Sequence, residues 1–400
     1  MAKSKSFFLI LILGSLAALG PFSIDMYLPG FKAIAQDLNT GVPNVSLSLS
    51  SFFIGISAGQ LLYGPLLDKF GRKKPLYFGL ALYILSSLGC LLVTSIDQLI
   101  VLRFVQAIGS CATAVASVAM VRDLFTVKES PKVFASLMLV IAVSPMLAPT
   151  AGGYLIAALG WQSVFVFLSF MALLMLLACI WWLPESYKPD PTYSLKPKPI
   201  LSNFLLVLKE PGFYTYALVS AITFSGLFAY VSSSPVVFMD LYQVTETGYG
   251  WIFALLSVSF IGFSQVNSII LKWFTSKNIV FWALIAQCIF SILFLSAALN
   301  DLLNLYTTIG FIALFLGCLG FINPNASALA LAPFSKNAGS ASALMGALQM
   351  GLGALASAVI SLFAADVVWP MPAVMTIAAL IALFCLLIGK NKIRPVSANQ

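Results

Sequence analysis

Twelve apolar stretches, each about as long as a membrane-crossing helix, occupy most of this 400-residue chain. A helix needs about 20 mainly apolar residues to cross the hydrocarbon core of a bilayer. Hydrophobic residues make up 60% of the chain and charged residues only 8%, whereas about a quarter of a soluble domain is charged. The pattern predicts an all-α, polytopic membrane protein with twelve transmembrane helices. The stretches lie at 7–28, 45–66, 76–94, 99–121, 133–158, 163–183, 213–236, 248–271, 279–299, 305–331, 340–364 and 371–389.

Basic residues fall in alternate loops between these stretches. If the N-terminus is cytoplasmic, all of the 21 Lys and Arg residues except Lys32 and Arg103 lie in inside segments. Short cytoplasmic loops are enriched in Lys and Arg, so this asymmetry predicts that both termini are cytoplasmic. We expect a multi-pass protein of the bacterial inner (plasma) membrane. The asymmetry also accounts for the net charge of +8 without a nucleic acid partner.

A cleaved signal peptide is an alternative for the first stretch. Lys3 and Lys5 precede the apolar residues, and the small residues Ala17 and Ala18 lie near its middle. Cleavage would leave eleven spans and would place Asp25 close to a new N-terminus. The stretch is long enough to cross the membrane, which favours a retained first span.

A Pro-rich and Lys-rich segment, 184–211, separates the first six stretches from the last six. Such a composition does not support a packed core and is typical of a linker. We therefore predict an N-terminal six-helix bundle at 1–183, a cytoplasmic linker at 184–211, a C-terminal six-helix bundle at 212–389 and a cytoplasmic tail at 390–400. Two six-helix halves moving around a midplane site are typical of secondary transporters.

The residue inventory argues against several other classes of protein. The chain has no His, its six Cys show no CxxC spacing, and it has no phosphate-binding Gly-rich loop followed by Lys. These absences disfavour metal sites, His-assisted nucleophiles and an ATP-driven pump. We expect no enzyme activity and no cofactor, with a proton gradient as the energy source. A receptor-like scaffold or a channel is a weaker alternative.

Two charged residues, Asp25 and Arg103, lie within the apolar stretches. A charge inside a membrane is costly and usually has a function and a partner. At 1.5 Å per residue, Asp25 lies about 5 Å and Arg103 about 8 Å from the predicted outer ends of their helices. We interpret the two as a proton-coupling pair in which Asp25 carries the proton. A static ion pair, or an Arg that reaches the membrane surface, is the alternative.

The loop GPLLDKFGRKK at 64–74 resembles the signature between helices two and three of the major facilitator superfamily. Its glycine at 71 suits a tight turn. The resemblance implies a conformational gate, in which Asp68 joins a charge cluster that contacts the helix start near Ser340 in the other half. The residues assigned to this gate are Gly64, Asp68, Gly71, Arg72, Arg122 and Asp123.

Two more patterns resemble motifs of the same superfamily. Arg103 to Gly109 resembles the R-x-x-Q-G pattern, and Ser144 to Gly153 resembles the antiporter signature, with Ser144 and Ala148 in place of glycines. In the second pattern, prolines bend the helix and glycines permit close helix contact. The residues assigned to gating there are Pro145, Pro149, Gly152 and Gly153.

Together with Pro21 to Pro29, these motifs resemble the bicyclomycin-resistance and chloramphenicol-resistance branch of the drug:proton antiporters. The resemblance implies proton-coupled efflux of small amphipathic compounds by rocker-switch alternating access. The alternative is a proton-linked transporter of one endogenous metabolite, such as an amino acid, a nucleoside or a siderophore. The implied partners are a small-molecule substrate, protons and the lipid bilayer, and we expect a monomer.

Polar and aromatic residues within the stretches are candidates for a substrate cavity. Taken alone, each polar residue is better explained by helix-to-helix hydrogen bonding, and most aromatic residues by packing or lipid contact. The pair at 323 and 325 flanks a proline that we expect to interrupt the tenth span. The candidates are Tyr27, Gln60, Gln106, Phe224, Tyr230, Asn323, Asn325 and Gln349.

Overall fold

The computed structural model describes residues 3–126, 129–189, 195, 197–334, 338–363 and 367–390. Over these ranges the chain is helical and contains no strand, which confirms the predicted all-α membrane architecture. The α-helices are α1 (Lys3–Asp25), α2 (Phe31–Asp37), α3 (Val42–Phe70), α4 (Lys73–Gly89), α5 (Ile96–Leu124), α6 (Ser130–Leu159), α7 (Gln162–Trp181), α8 (Pro197–Leu208), α9 (Pro211–Pro235), α10 (Glu246–Ile270), α11 (Ser276–Leu299), α12 (Leu305–Leu331), α13 (Ala338–Ile360) and α14 (Pro370–Lys390).

Eleven segments of the described chain are long and apolar enough to cross a membrane. Two of these segments contain a break, because a 3-10 turn (Leu28–Gly30) follows α1 and a π-helical turn (Val236–Leu241) follows α9. The remaining predicted span corresponds to α4, whose 17 residues fall short of the usual length. Helix α4 packs against α5 and α7. The predicted number of twelve is therefore approximate.

Residues of the described chain form two compact units. Unit 1 contains residues 1–196, 232–258 and 357–367, and unit 2 contains 197–231, 259–356 and 368–400. Unit 1 therefore joins the first six spans to short pieces of later helices. The boundaries predicted from the linker stay a prediction.

Part of the predicted linker is a helix. Helix α8, at Pro197–Leu208, buries Val207 and exposes Leu201, Leu205 and Leu206. The leucines supply helix propensity and an apolar face to these twelve residues, and both prolines lie in the first turn, where a helix tolerates them. Residues 190–194 and 196 of the segment lie outside the described part of the chain.

Small residues set the spacing of the helices around the candidate site. Helices α3 and α5 pack closely, and a methyl group added to Gly55 would lie 2.6 Å from the carbonyl oxygen of Phe104. Close backbone contact of this kind is how membrane helices gain packing energy. It fixes α5, and with it Arg103, against its neighbours.

Candidate transport site and gates

Asp25 is the last residue of α1, and its side chain is almost fully buried. The chain then turns through Leu28–Gly30 into α2. The ion pairs of the described chain involve other residues, so no cation neutralises Asp25 within 4.0 Å. Its carboxylate interacts electrostatically with the phenol of Tyr249 on α10, which shares a 2.7 Å hydrogen bond with Ser234. A buried carboxylate without a cation is stabilised by taking up a proton.

Arg103 lies on α5 and is fully buried. Its guanidinium carbon lies 4.2 Å from the ring centre of Tyr27 and 4.1 Å from that of Phe52. One terminal nitrogen donates to the carbonyl oxygen of Ser23 at 2.8 Å, and the other donates to Gln106. Two aromatic faces and a carbonyl dipole therefore stabilise this cation.

The predicted pairing of Asp25 with Arg103 is not an ion pair in this structure. Arg103 reaches α1 through the carbonyl of Ser23, two residues before Asp25. The Nε atom of Arg103 is buried and has no hydrogen-bond partner among the residues that the structure describes. The proton-coupling role of the two residues stays a prediction.

Hydroxyl groups extend the Arg103 network to α4. Ser23 shares a 2.6 Å hydrogen bond with the phenol of Tyr83, and Gln106 donates to Ser87 at 2.6 Å. Sequence reasoning identified Gln106 but missed Ser23, Tyr83 and Ser87. The available signal was the presence of three hydroxyl groups in apolar stretches, which becomes informative only when the helix faces are known.

The loop motif after α3 forms a charge cluster. The Nε atom of Arg72 donates to Asp123 at 2.8 Å, and a terminal nitrogen donates to Asp68 at 2.9 Å. The guanidinium also lies 4.4 Å from the ring centre of Tyr187. Arg122 is exposed and joins no ion pair in the described ranges. The predicted contact with the helix start near Ser340 stays a prediction.

The start of α4 is capped by a residue distant in sequence. Glu185 accepts hydrogen bonds from the backbone nitrogen of Arg72 at 2.8 Å and of Lys73 at 3.1 Å. The first backbone nitrogens of a helix lack hydrogen-bond partners within the helix. A carboxylate near them also interacts favourably with the helix dipole. Sequence reasoning missed Glu185, because nothing local to it indicates contact with residues 72 and 73.

Helix α6 is wedged between two backbones through its paired glycines. A methyl group added to Gly152 would overlap the carbonyl oxygen of Met26, the residue after Asp25. One added to Gly153 would lie 2.5 Å from the carbonyl oxygen of Glu246, at the start of α10. The helix continues through Pro145 and Pro149. The antiporter-like motif therefore lies where α1 and α10 both meet α6.

Further contacts within unit 1 join residues that are far apart in sequence. Lys32 and Asp240 form an ion pair at 3.6 Å. Ser50 donates to Ser357 at 2.7 Å. These contacts attach the ends of later helices to α2 and α3.

The substrate-cavity candidates fall in different environments. In unit 1, Tyr27 stacks on Arg103, and Gln60 is half-buried on α3. In unit 2, Phe224 is half-buried, and Tyr230 is fully buried. Asn325 donates to Asn267 at 2.7 Å, and both side chains are buried.

The expected interruption of the tenth span is wrong. Helix α12 runs unbroken through Pro324, because a proline removes only one backbone donor and neighbouring residues can satisfy the freed carbonyl. Asn323 lies on this continuous helix and accepts a 2.7 Å hydrogen bond from Ser220 of α9. Gln349 of α13 donates to Ser220 at 2.9 Å and to Asn323 at 3.3 Å.

Comparison with known families gives the evolutionary context of this arrangement. Residues 13–358 match the Major Facilitator Superfamily. The chain belongs to this superfamily. Members of the major facilitator superfamily are transporters, and the chain is accordingly a multi-pass transporter with the predicted all-α fold.

Two relatives extend over almost the whole of this superfamily member. A bicyclomycin resistance protein homolog from Haemophilus influenzae is 33% identical over 369 residues, which are 92% of each chain. The multidrug resistance protein MdtL from Shigella flexneri is 28% identical over 391 residues, or 96% of each chain. These matches confirm the branch that the motifs resemble.

Solved structures show the same superfamily fold. A D-xylose-proton symporter aligns with a TM-score of 0.74 at 15% identity and covers 94% of this chain and 97% of its own. A bacterial homolog of the human lysosomal transporter Spinster aligns with a TM-score of 0.71 at 12% identity. That alignment covers 97% of this chain and 96% of the homolog. At these identities the likeness concerns the fold alone.

Proposed function

We propose that this protein exports small amphipathic compounds, such as drugs, in exchange for protons. The observation that carries the proposal is the carboxylate of Asp25, which is buried at the end of α1 with no cation of the described chain within 4.0 Å. The names of the relatives support drugs as the cargo. They include a chloramphenicol resistance protein from Pseudomonas aeruginosa, 28% identical over 374 residues, or 90% of this chain and 86% of that protein.

In the proposed cycle Asp25 takes a proton from the outer side and releases it inward. Met26 follows Asp25 directly and is in backbone contact with α6 at Gly152. A change in the charge of Asp25 therefore acts on the place where α1, α6 and α10 meet. Opening of this contact would expose Asp25 to the outer solution, which is the outward-open half of a rocker-switch cycle.

The remaining features of the proposal follow from the sequence. The protein would work in the bacterial inner membrane with both termini cytoplasmic. It would act as a monomer and would need no cofactor beyond the proton gradient.

The test is drug accumulation in inside-out membrane vesicles with an acidic interior, with radiolabelled chloramphenicol as the probe. We expect Asp25→Asn to abolish accumulation, because an amide cannot carry a proton through the cycle. Asp25→Glu should retain part of it. The matched control is Asp301→Asn, since Asp301 has a φ of 53°, a conformation that Asn tolerates well. An Asp25→Asn protein that still concentrates chloramphenicol against its gradient would refute proton coupling through Asp25.

A further inference from the structure

A cluster of amide and hydroxyl side chains lies where three helices of unit 2 contact one another. The proposed proton cycle does not use this cluster. Ser220 of α9, Asn323 of α12 and Gln349 of α13 form a closed triangle of hydrogen bonds. Ser220 donates to Asn323 at 2.7 Å and accepts from Gln349 at 2.9 Å. Gln349 also donates to the Asn323 oxygen at 3.3 Å. The triangle fixes the orientation of both amides.

Each amide keeps one unused hydrogen-bonding group. Asn323 uses only its oxygen in the triangle, and Gln349 uses only its nitrogen. An amide has a two-hydrogen donor and a two-lone-pair acceptor. The Nδ2 donor of Asn323 and the Oε1 acceptor of Gln349 are therefore left over. Exchanging nitrogen and oxygen in both amides preserves the triangle and again leaves one donor and one acceptor.

The nearby pair of Asn325 and Asn267 behaves differently. The Nδ2 atom of Asn325 donates both to Asn267 and to the carbonyl oxygen of Phe321 at 2.8 Å, and both asparagines are buried. That pair is an interhelical hydrogen bond whose burial limits the access of a ligand to its remaining polar groups. Asn323 and Gln349, by contrast, are only half-buried. An amide group left unsatisfied in hydrocarbon is unfavourable, so their free groups must meet water or a polar ligand.

An aromatic wall adjoins the amide triangle on the same helices. Phe224 lies one helical turn beyond Ser220 on α9 and is half-buried. Its ring packs edge-on against Phe228 with 5.6 Å between the ring centres. Phe228 in turn packs against Gly353, which lies one turn beyond Gln349 on α13. A methyl group added to Gly353 would overlap the Phe228 ring. One turn rises about 5.4 Å, so the polar groups and the ring can contact one small molecule together.

We propose that the triangle of Ser220, Asn323 and Gln349 is a binding subsite for the amide edge of cargo, with Phe224 contacting the apolar body. The matching group is a primary carboxamide or a lactam, in which an N–H and a C=O lie on the same edge. Such a ligand donates to one free amide and accepts from the other. This subsite rests on the proposed function for its role in export, but its ligand preference is measurable without a proton gradient.

The test is equilibrium binding of two radiolabelled probes to the purified full-length protein in lipid nanodiscs at one pH. The probes are 2-naphthamide and N,N-dimethyl-2-naphthamide, which share the aromatic body and differ in the donor. We expect the protein to bind 2-naphthamide about tenfold more tightly, the factor that one net hydrogen bond supplies. Asn323→Leu removes the donor to the C=O that both probes share, so it should weaken the binding of both. If the two amides have nitrogen and oxygen exchanged, this variant and Gln349→Met swap their effects.

Two further variants make the result decisive. Gln349→Met removes the acceptor while it keeps the side-chain length. It should abolish the preference by weakening 2-naphthamide binding alone, because only this probe has an N–H to donate to that acceptor. The matched control is the double substitution Asn267→Leu and Asn325→Leu, which removes an amide pair from α10 and α12 and should leave the preference intact. Equal binding of the two probes by the wild type, or a preference that survives both Asn323→Leu and Gln349→Met, would overturn the subsite. Because no gradient is present, failure of proton coupling at Asp25 would leave these binding results unchanged.

Discussion

The α-carbon of Gly152 lies so close to the carbonyl oxygen of Met26 that no side chain fits between them. We expect Gly152→Ala to reduce drug export at least tenfold, because an added methyl group forces α6 away from α1 and overpacking costs about 1–3 kcal/mol. Vesicle transport and thermal unfolding measure the two effects. Gly262→Ala on α10 is the control, since a methyl group there meets nothing within 4 Å. Full transport by Gly152→Ala would contradict the close contact.

The two glycines of the loop motif should differ in their tolerance of alanine. Gly71 has a φ of 81°, and a methyl group there would lie 3.1 Å from Glu185 and 3.2 Å from the carbonyl of Tyr187. A methyl group on Gly64 would meet nothing within 4 Å. We expect Gly71→Ala to lower the free energy of unfolding by about 1–3 kcal/mol, because its φ of 81° and ψ of 176° define a conformation that is essentially restricted to glycine. Gly64→Ala should be close to neutral, and equal losses in the two variants would count against this explanation.

Glu185 should stabilise the start of α4 through its two backbone contacts. Glu185→Gln keeps one acceptor and loses the charge, so we expect a loss of about 1 kcal/mol in unfolding free energy. Hydrogen exchange of the Arg72 and Lys73 amides should accelerate. Glu210→Gln is a suitable control, because no ion pair of the described chain involves Glu210. Unchanged exchange at residues 72 and 73 would show that the cap is dispensable.

The ion pair between Lys32 and Asp240 should contribute little to the free energy of unfolding. The two side chains are 43% and 23% exposed, and exposed pairs are typically worth about 0–1 kcal/mol. A double-mutant cycle with Lys32→Ala and Asp240→Ala, followed by thermal unfolding, should give a coupling below about 1 kcal/mol that shrinks with added salt. A larger coupling energy that does not change with salt would contradict this expectation, because it would indicate a buried ion pair.

Arg103 should not be replaceable by lysine. Its planar guanidinium packs against Tyr27 and Phe52 and donates both to α1 and to Gln106 on its own helix, which a single ammonium group cannot reproduce. We expect Arg103→Lys to lower both thermal stability and export, the latter at least tenfold. Arg122→Lys, at an exposed position, should have no measurable effect. Wild-type behaviour of Arg103→Lys would show that charge alone matters here.

The fold was predictable from the sequence because hydrophobic length and the distribution of Lys and Arg are direct physical requirements of a bilayer. The short α4 and the helical segment α8 were harder to predict, since both depend on packing that a count of apolar residues does not contain. The interruption predicted at Pro324 was wrong for a related reason. A proline weakens a helix by one hydrogen bond, and whether neighbouring helices offset that loss is a property of the tertiary structure.

The candidate site was predictable only in part. Asp25 and Arg103 are conspicuous because charges are rare in apolar stretches, but their contacts are not readable from that rarity. Arg103 donates to a backbone carbonyl of α1 and packs against two aromatic faces, which no sequence spacing indicates. Ser220 and Glu185 acquire their roles through partners more than a hundred residues away.

The aromatic enclosure of Arg103 also has a consequence for the kind of cargo the protein favours. A guanidinium held by two rings and a backbone carbonyl cannot leave or lose its charge, so it is a permanent positive charge within unit 1. When Asp25 is ionised, the two side chains nearly cancel. When Asp25 is protonated, a net positive charge remains and repels cations by about 2 kcal/mol at 8 Å in an effective dielectric of 20. The protonated protein should therefore bind neutral compounds more tightly than cationic compounds of the same shape.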